Sequence, residues 1–197
     1  MATYLEKALS YVKYLGVETY VPLELHQPPK MIGVVSAWKG HQLIIRDLIR
    51  RFGLKTDACL EFGVEFGFSA VAFANYFKHV TGVDIFLGDI HTDHKGDHYE
   101  ATKKSLAAYE NIELVRSDYK DWIRADDRTY DLIHVDIIHT YEDTFNCGLW
   151  SAGHSQCTLF HDTESFPEVK QAVHDIAKET KKKFYNYPKH FGLGIVV

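Results

Sequence analysis

From about residue 58 onward, short apolar runs exchange with longer stretches in which apolar residues recur every three or four positions. Strands alternating with amphipathic helices produce that signature. The pattern predicts strands at 58–62, 80–84, 112–116, 130–136 and 156–161, and helices at 67–77, 99–109, 141–150 and 167–179, with a short helix around Asp121. Strands alternating with helices in this way indicate a mostly parallel sheet covered on both faces. The end breaks the rhythm, because the strand-like runs 184–187 and 192–197 are separated only by Pro188, Lys189, His190 and Phe191. That gap is too short for a crossover helix, so the two should form an antiparallel hairpin. The fold class is therefore α/β, a doubly wound seven-stranded sheet that is mostly parallel with an antiparallel C-terminal hairpin strand.

Ahead of this core, Leu5, Leu9, Val12 and Leu15 fall near helical spacing, and the segment to Lys30, with Pro22, Pro28 and Pro29, reads as irregular. A second helix over 41–51 carries Leu43, Ile44, Leu48 and Ile49 on one face and stops at Gly53. No linker divides the 197 residues, 46% of them hydrophobic, so a single domain is expected, with a cap over 1–55 and a core over 56–197. A net charge of -5 argues against nucleic acid or an anionic membrane as partner and leaves a small molecule as the default. Cys59, Cys147 and Cys157 are few, odd in number and set in apolar segments, as in reduced core residues of a cytoplasmic protein. No apolar stretch approaches the roughly 18 residues of a membrane span. Oligomeric state stays open, and a homo-oligomer is compatible with the sequence.

Chemistry concentrates where strands end. Glu61, Gly63, Gly67 and Ser69 make an E-x-G-x-x-x-G-x-S turn between the first core strand and its helix. Glycines there let a ligand approach the backbone, and helix N-terminal N–H groups point at it. One helix later Asp84 closes the next strand, where a ribose hydroxyl pair could be held. Together they indicate a nucleoside-containing cofactor. The G-x-G-x-x-G of nicotinamide-binding domains is missing, and the terminal hairpin also speaks against that class.

These residues, together with Ser36–His41, Val83–His91, Asp131–Glu142, Leu159–Thr163 and Phe191–Ile195, resemble a class I S-adenosylmethionine-dependent methyltransferase of Rossmann-like fold, more narrowly the methyltransferase-24 family. The resemblance spans most of the chain. It implies that Glu61 and the turn through Gly63, Gly67 and Ser69 hold the methionine part of S-adenosylmethionine, that Asp84 binds the ribose, and that Ser117 and Asp118 flank the adenine. Glu65, a second acid in the turn, is read either as facing solvent or as holding the cofactor's amino group.

Asp136, His139, His161 and Asp162 follow the fourth and fifth core strands, at the sheet edge where ligands of such folds lie. Histidine suits proton abstraction near neutral pH, so His139 is the candidate general base, with Asp136 beside it. The positions are similar to those of metal-dependent catechol-type O-methyltransferases. That likeness implies that Asp136 and Asp162 hold magnesium or another divalent ion, with His161 a further ligand and Thr163 in place of the usual amide. Adjacent strand residues point oppositely, so His161 and Asp162 need a local turn to share one ion. His134 reads as a buried structural histidine bonded to backbone, and the Asp- and His-rich loop 89–98 as a mobile lid over the acceptor pocket. The expected activity is O-methylation of a small molecule or sugar. The alternative is a protein of the same fold that binds the cofactor without methylating.

Overall fold

The computed structural model describes residues 14–88 and 95–197. Its strands are β1 (Val17–Thr19), β2 (Ala58–Phe62), β3 (His79–Asp84), β4 (Ile112–Arg116), β5 (Tyr130–Val135), β6 (Ser155–His161), β7 (Phe184–Tyr187) and β8 (Leu193–Val196). The helices are α1 (Ile45–Phe52), α2 (Phe68–Ala74), α3 (Tyr99–Ser105), α4 (Tyr119–Ala125), α5 (Tyr141–His154) and α6 (Pro167–Thr180), with a 3-10 turn over His41–Ile44 leading into α1. The strands form one sheet in the order β1-β7-β8-β6-β5-β2-β3-β4. β8 runs antiparallel to both neighbours, β6 and β7, and the remaining pairs are parallel.

The sheet has eight strands, one more than the sequence pattern predicts. The addition is β1, three residues paired with β7 on the edge. Val17-Glu18-Thr19 is too short and too exposed for an alternation to register, so only its backbone pairing defines it. Most of the helix expected near the N-terminus, and residues 89–94 of the expected lid loop, lie outside the described residues. Gly53 ends α1 as expected, in the left-handed conformation with φ 60.

Side-chain alternation divides the core into two layers. Leu60, Phe62, Ile133, Val135 and Phe160 face one side, where α5 and α6 bring Cys147, Val173 and Ile176. Cys59, Leu132, Cys157 and Leu159 face the other, packed with Ile45 and Leu48 of α1 and Phe73 of α2. Each fully buried aliphatic or aromatic side chain contributes on the order of 1.5–3 kcal/mol. The second face carries polar residues in the same parity: Glu61 on β2, His134 on β5 and His161 on β6, all buried. Glu61 and His134 are register partners on adjacent strands. All three cysteines are buried and unpaired. Among the described residues, no helix is long and apolar enough to cross a membrane.

Candidate functional site

At the carboxyl ends of the parallel strands lies a cavity of about 830 Å³. One end is walled by the β2–α2 turn, Asp84, and Ser117 and Asp118 after β4. The other is walled by Asp136–His139 after β5, His161–Asp162 after β6, and Phe166. Val35–Trp38, from the segment ahead of α1, line it as well. A single space thus joins Gly63, Ser69, Asp84, Ser117 and Asp118, expected to hold the cofactor, with Asp136, His139, His161 and Asp162, expected to do chemistry or hold metal.

The turn is fixed from beneath. Gly63 has φ 85, and a Cβ there would come within 1.7 Å of the Asp136 carbonyl oxygen, so only glycine lets β2 and β5 end side by side. Asp84 braces the same turn: one carboxylate oxygen accepts the N–H groups of Val64 (2.7 Å) and Glu65 (2.9 Å), and the other accepts that of Phe86 (2.6 Å). Asp84 therefore shapes the pocket as well as lining it. Ser117 and Asp118 also lie on the wall, and the Asp118 carboxylate caps α4 by accepting from the Lys120 N–H.

Two expected cofactor residues are placed otherwise. Gly67 caps α2 and is absent from the cavity wall, where a Cβ would strike Leu106. Glu61 is fully buried and likewise off the wall. Its Oε1 lies 2.9 Å from Nδ1 of His134, whose Nε2 accepts the Trp38 indole N–H at 3.0 Å. His134 is buried as expected, but side chains rather than backbone satisfy it, because register sets it opposite Glu61. Burial pushes the Glu61 carboxyl above its usual range, and the His134 ring and nearby Ser69 hydroxyl offset only part of this. Glu65, by contrast, does line the cavity, in the left-handed conformation with φ 52.

The local turn that His161 and Asp162 require is present. Asp162 has φ 65, a region that aspartate tolerates better than most residues, and this swings its carboxylate to the His161 side. Nδ1 of His161 lies 3.1 Å from Asp162 Oδ2 and 3.2 Å from Asp136 Oδ2. Nε2 of His139 lies 3.0 Å from the same Asp162 oxygen and 3.7 Å from Asp136 Oδ1. Burial opposes charge on both rings, yet the two carboxylates prevail and raise His139 to about 9 and His161 to about 10. Burial works against the carboxylates too, but the imidazoles hold Asp162 at about 2 and Asp136 well below the carboxylate range. The cluster is thus a place that demands positive charge.

Ligand atoms of Asp136, His161 and Asp162 lie within 4.8 Å of one another, close enough to meet on one cation. Two carboxylates and a nitrogen suit a divalent ion, and solvent or substrate oxygens could complete its shell. Thr163 is not part of this set, since its hydroxyl donates to Asn186 Oδ1 at 2.6 Å. Sequence reasoning missed Phe166, whose ring stacks on His139 with centroids 4.1 Å apart. It also gave no role to Trp38, or to His41, whose ring stands edge-on to His161 at 5.2 Å and which burial keeps uncharged with a pKa of about 3. Nothing in local spacing marks these contacts, which arise between distant segments.

With this geometry in place, comparison with known proteins defines the class. The model of a methyltransferase domain family, methyltransferase-24, matches residues 60–163, more than half of the chain. The chain belongs to that family. No curated protein sequence matches it. Among solved structures, it is similar to an O-methyltransferase from Bacillus cereus in complex with SAH, at 14% identity over 86% of this chain and 84% of that one, with a TM-score of 0.58. It is also similar to the O-methyltransferase NovP, at 14% identity over 75% and 74% of the two chains with a TM-score of 0.60. A third is TomG from Streptomyces achromogenes, an O-methyltransferase of tomaymycin synthesis in complex with SAM, at 15% identity over 83% and 81% with a TM-score of 0.56. At these identities, the likeness to solved structures shows a shared fold.

Proposed function

We propose that this methyltransferase binds S-adenosylmethionine (SAM) along the β2–β4 strand ends and transfers its methyl group to a hydroxyl of a small molecule or sugar held at the β5–β6 ends. The observation that carries the reading is the continuity of one cavity from the glycine turn to the Asp136–His139–His161–Asp162 cluster. The SAM and SAH complexes of structurally similar O-methyltransferases support it. Asp84 would take the ribose hydroxyls with the lone pairs its backbone N–H bonds leave over, and Ser117 and Asp118 would flank the adenine.

Methyl transfer is an in-line displacement, so the protein's main work is alignment of the two reactants and activation of the acceptor. The acceptor hydroxyl gives its proton to His139, the oxygen bonds to the methyl carbon, and the carbon–sulfur bond breaks with its electron pair returning to sulfur. S-adenosylhomocysteine (SAH) leaves as a neutral thioether. With a pKa of about 9, His139 is mostly protonated at neutral pH while it balances Asp136 and Asp162, so the proton is taken by its deprotonated fraction, which grows as pH rises toward 9. A magnesium or other divalent ion, held by Asp136, Asp162 and His161, would supply further positive charge beside the acceptor and lower the pKa of its hydroxyl. Phe166, stacked on the ring, fixes the plane from which His139 reaches the acceptor.

The test pairs calorimetry with SAH and transfer of a labelled methyl group from SAM to panels of phenols and sugars, with manganese and with chelator. Binding plus cation-stimulated product is the expected outcome. Absence of SAH binding overturns the proposal. Binding without product from any acceptor favours a cofactor-binding protein that does not methylate.

A further inference from the structure

The glycine turn contains two acids, and the structure separates them. Glu65 is on the cavity wall, whereas Glu61 is sealed behind it with 0% exposure. Glu61 is also committed. The Trp38 indole can only donate, so Nε2 of His134 must accept; the ring proton then sits on Nδ1 and is donated to Glu61 Oε1. The chain of bonds has one permitted direction, from Trp38 through His134 to Glu61. It crosses from a segment ahead of α1 to the central strands, between residues 96 and 73 positions apart in sequence. At its outer end Trp38, only 2% exposed, lines the cavity and packs edge-on against Phe73 of α2, with centroids 5.2 Å apart. That places the indole beside the helix that follows the turn.

Building on the SAM-binding reading above, we infer that the two acids divide the work. Glu65 meets the amino group of the cofactor's methionine end, and Glu61 is a positioning residue that acts through His134 to hold the Trp38 ring in the wall. The charge of Glu61 is then dispensable while its acceptor oxygen is not. Glutamine keeps an oxygen for the His134 N–H, and alanine removes it. At position 65 the reverse holds, because an ammonium group needs the charge.

SAH affinity is measured by calorimetry in wild type and in the Glu61→Gln, Glu61→Ala, Trp38→Phe and Glu65→Gln variants. The indole N–H resonance of Trp38, identified by its loss in Trp38→Phe, is followed in nitrogen–proton spectra without ligand. Glu65→Gln should weaken SAH binding about tenfold or more, the usual cost of losing a charged hydrogen bond, while Glu61→Gln stays within about threefold. Glu61→Ala should shift the Trp38 resonance, with Glu61→Gln restoring it. Its affinity loss should match that of Trp38→Phe and not add to it in the double variant.

A tenfold loss in Glu61→Gln with the Trp38 resonance unmoved would mean that the Glu61 carboxylate contacts the cofactor directly, and the division of labour fails. An unchanged resonance in folded Glu61→Ala removes the positioning role. If Glu61→Ala does not fold, Glu61→Gln against Glu65→Gln decides. Failure of wild type to bind SAH defeats the SAM reading and the Glu65 role, whereas the resonance still reads out the Glu61–His134–Trp38 chain independently.

Discussion

Two histidine–carboxylate groups stand on the same face of this sheet, and their surroundings turn them to opposite uses. In the inner one, His134 sits between Glu61 and Trp38 with no exposed surface, and a neutral donor at one end fixes the direction of every bond. In the outer one, His139 and His161 share two carboxylates at the cavity wall. The imidazoles there are held protonated well above neutrality. The residue types are the same. Whether the partner beyond the histidine can only donate, or is a second carboxylate, separates a brace with fixed bond directions from a cluster that holds its imidazoles charged.

The sharpest way to break this contrast is to truncate each histidine. His139→Ala should lower kcat/KM by about 10²–10⁴, the range of general base catalysis, with SAH affinity unchanged in calorimetry. A loss below about tenfold would take the base role from His139. His134→Ala should do its damage in urea unfolding instead, costing about 3–5 kcal/mol by leaving a buried carboxylate and an indole N–H unpaired.

The third expectation concerns pH. In chelated protein, His139 and His161 have folded pKa values of about 9 and 10, above the ordinary 6.5. Their stabilisation is complete below about pH 6.5 and is lost as pH rises through 9 and 10, because the folded state binds more protons there. Thermal melts of chelated protein should therefore decline across that window. Manganese should flatten the decline, and an unchanged slope would argue against a cation in the cluster. The smallest effect is expected from Phe166→Leu, which removes the ring stacked on His139: about 1 kcal/mol on the barrier, read as a severalfold drop in kcat.

The sequence pattern made β2 to β6 legible because short strand-like runs alternate with helical spacings, and β7 and β8 because the gap between them is too short for a crossover helix; the strand ends then located Asp84, Asp136 and Asp162. It could not show β1, which is too short to have a period. Nor could it show which way Glu61 points, since that depends on the register that sets Glu61 against His134 and on Trp38 arriving from far away in the chain. The need for a turn at His161 and Asp162 followed from strand geometry, whereas the stacking of Phe166 on His139 had no local signal. Strand ends are written locally; what leans on them is not.

The backbone at Asp162 carries a consequence for how this enzyme could change over time. At φ 65 the chain accommodates glycine, asparagine and aspartate readily and penalises nearly everything else, β-branched residues most. A lineage, or a designer, wishing to equip this strand end with a different ligand or base can draw on little beyond those three side chains without rebuilding the loop. Change in the cavity wall is thereby steered away from position 162 and toward lining residues outside the left-handed region, such as Val35–Ala37.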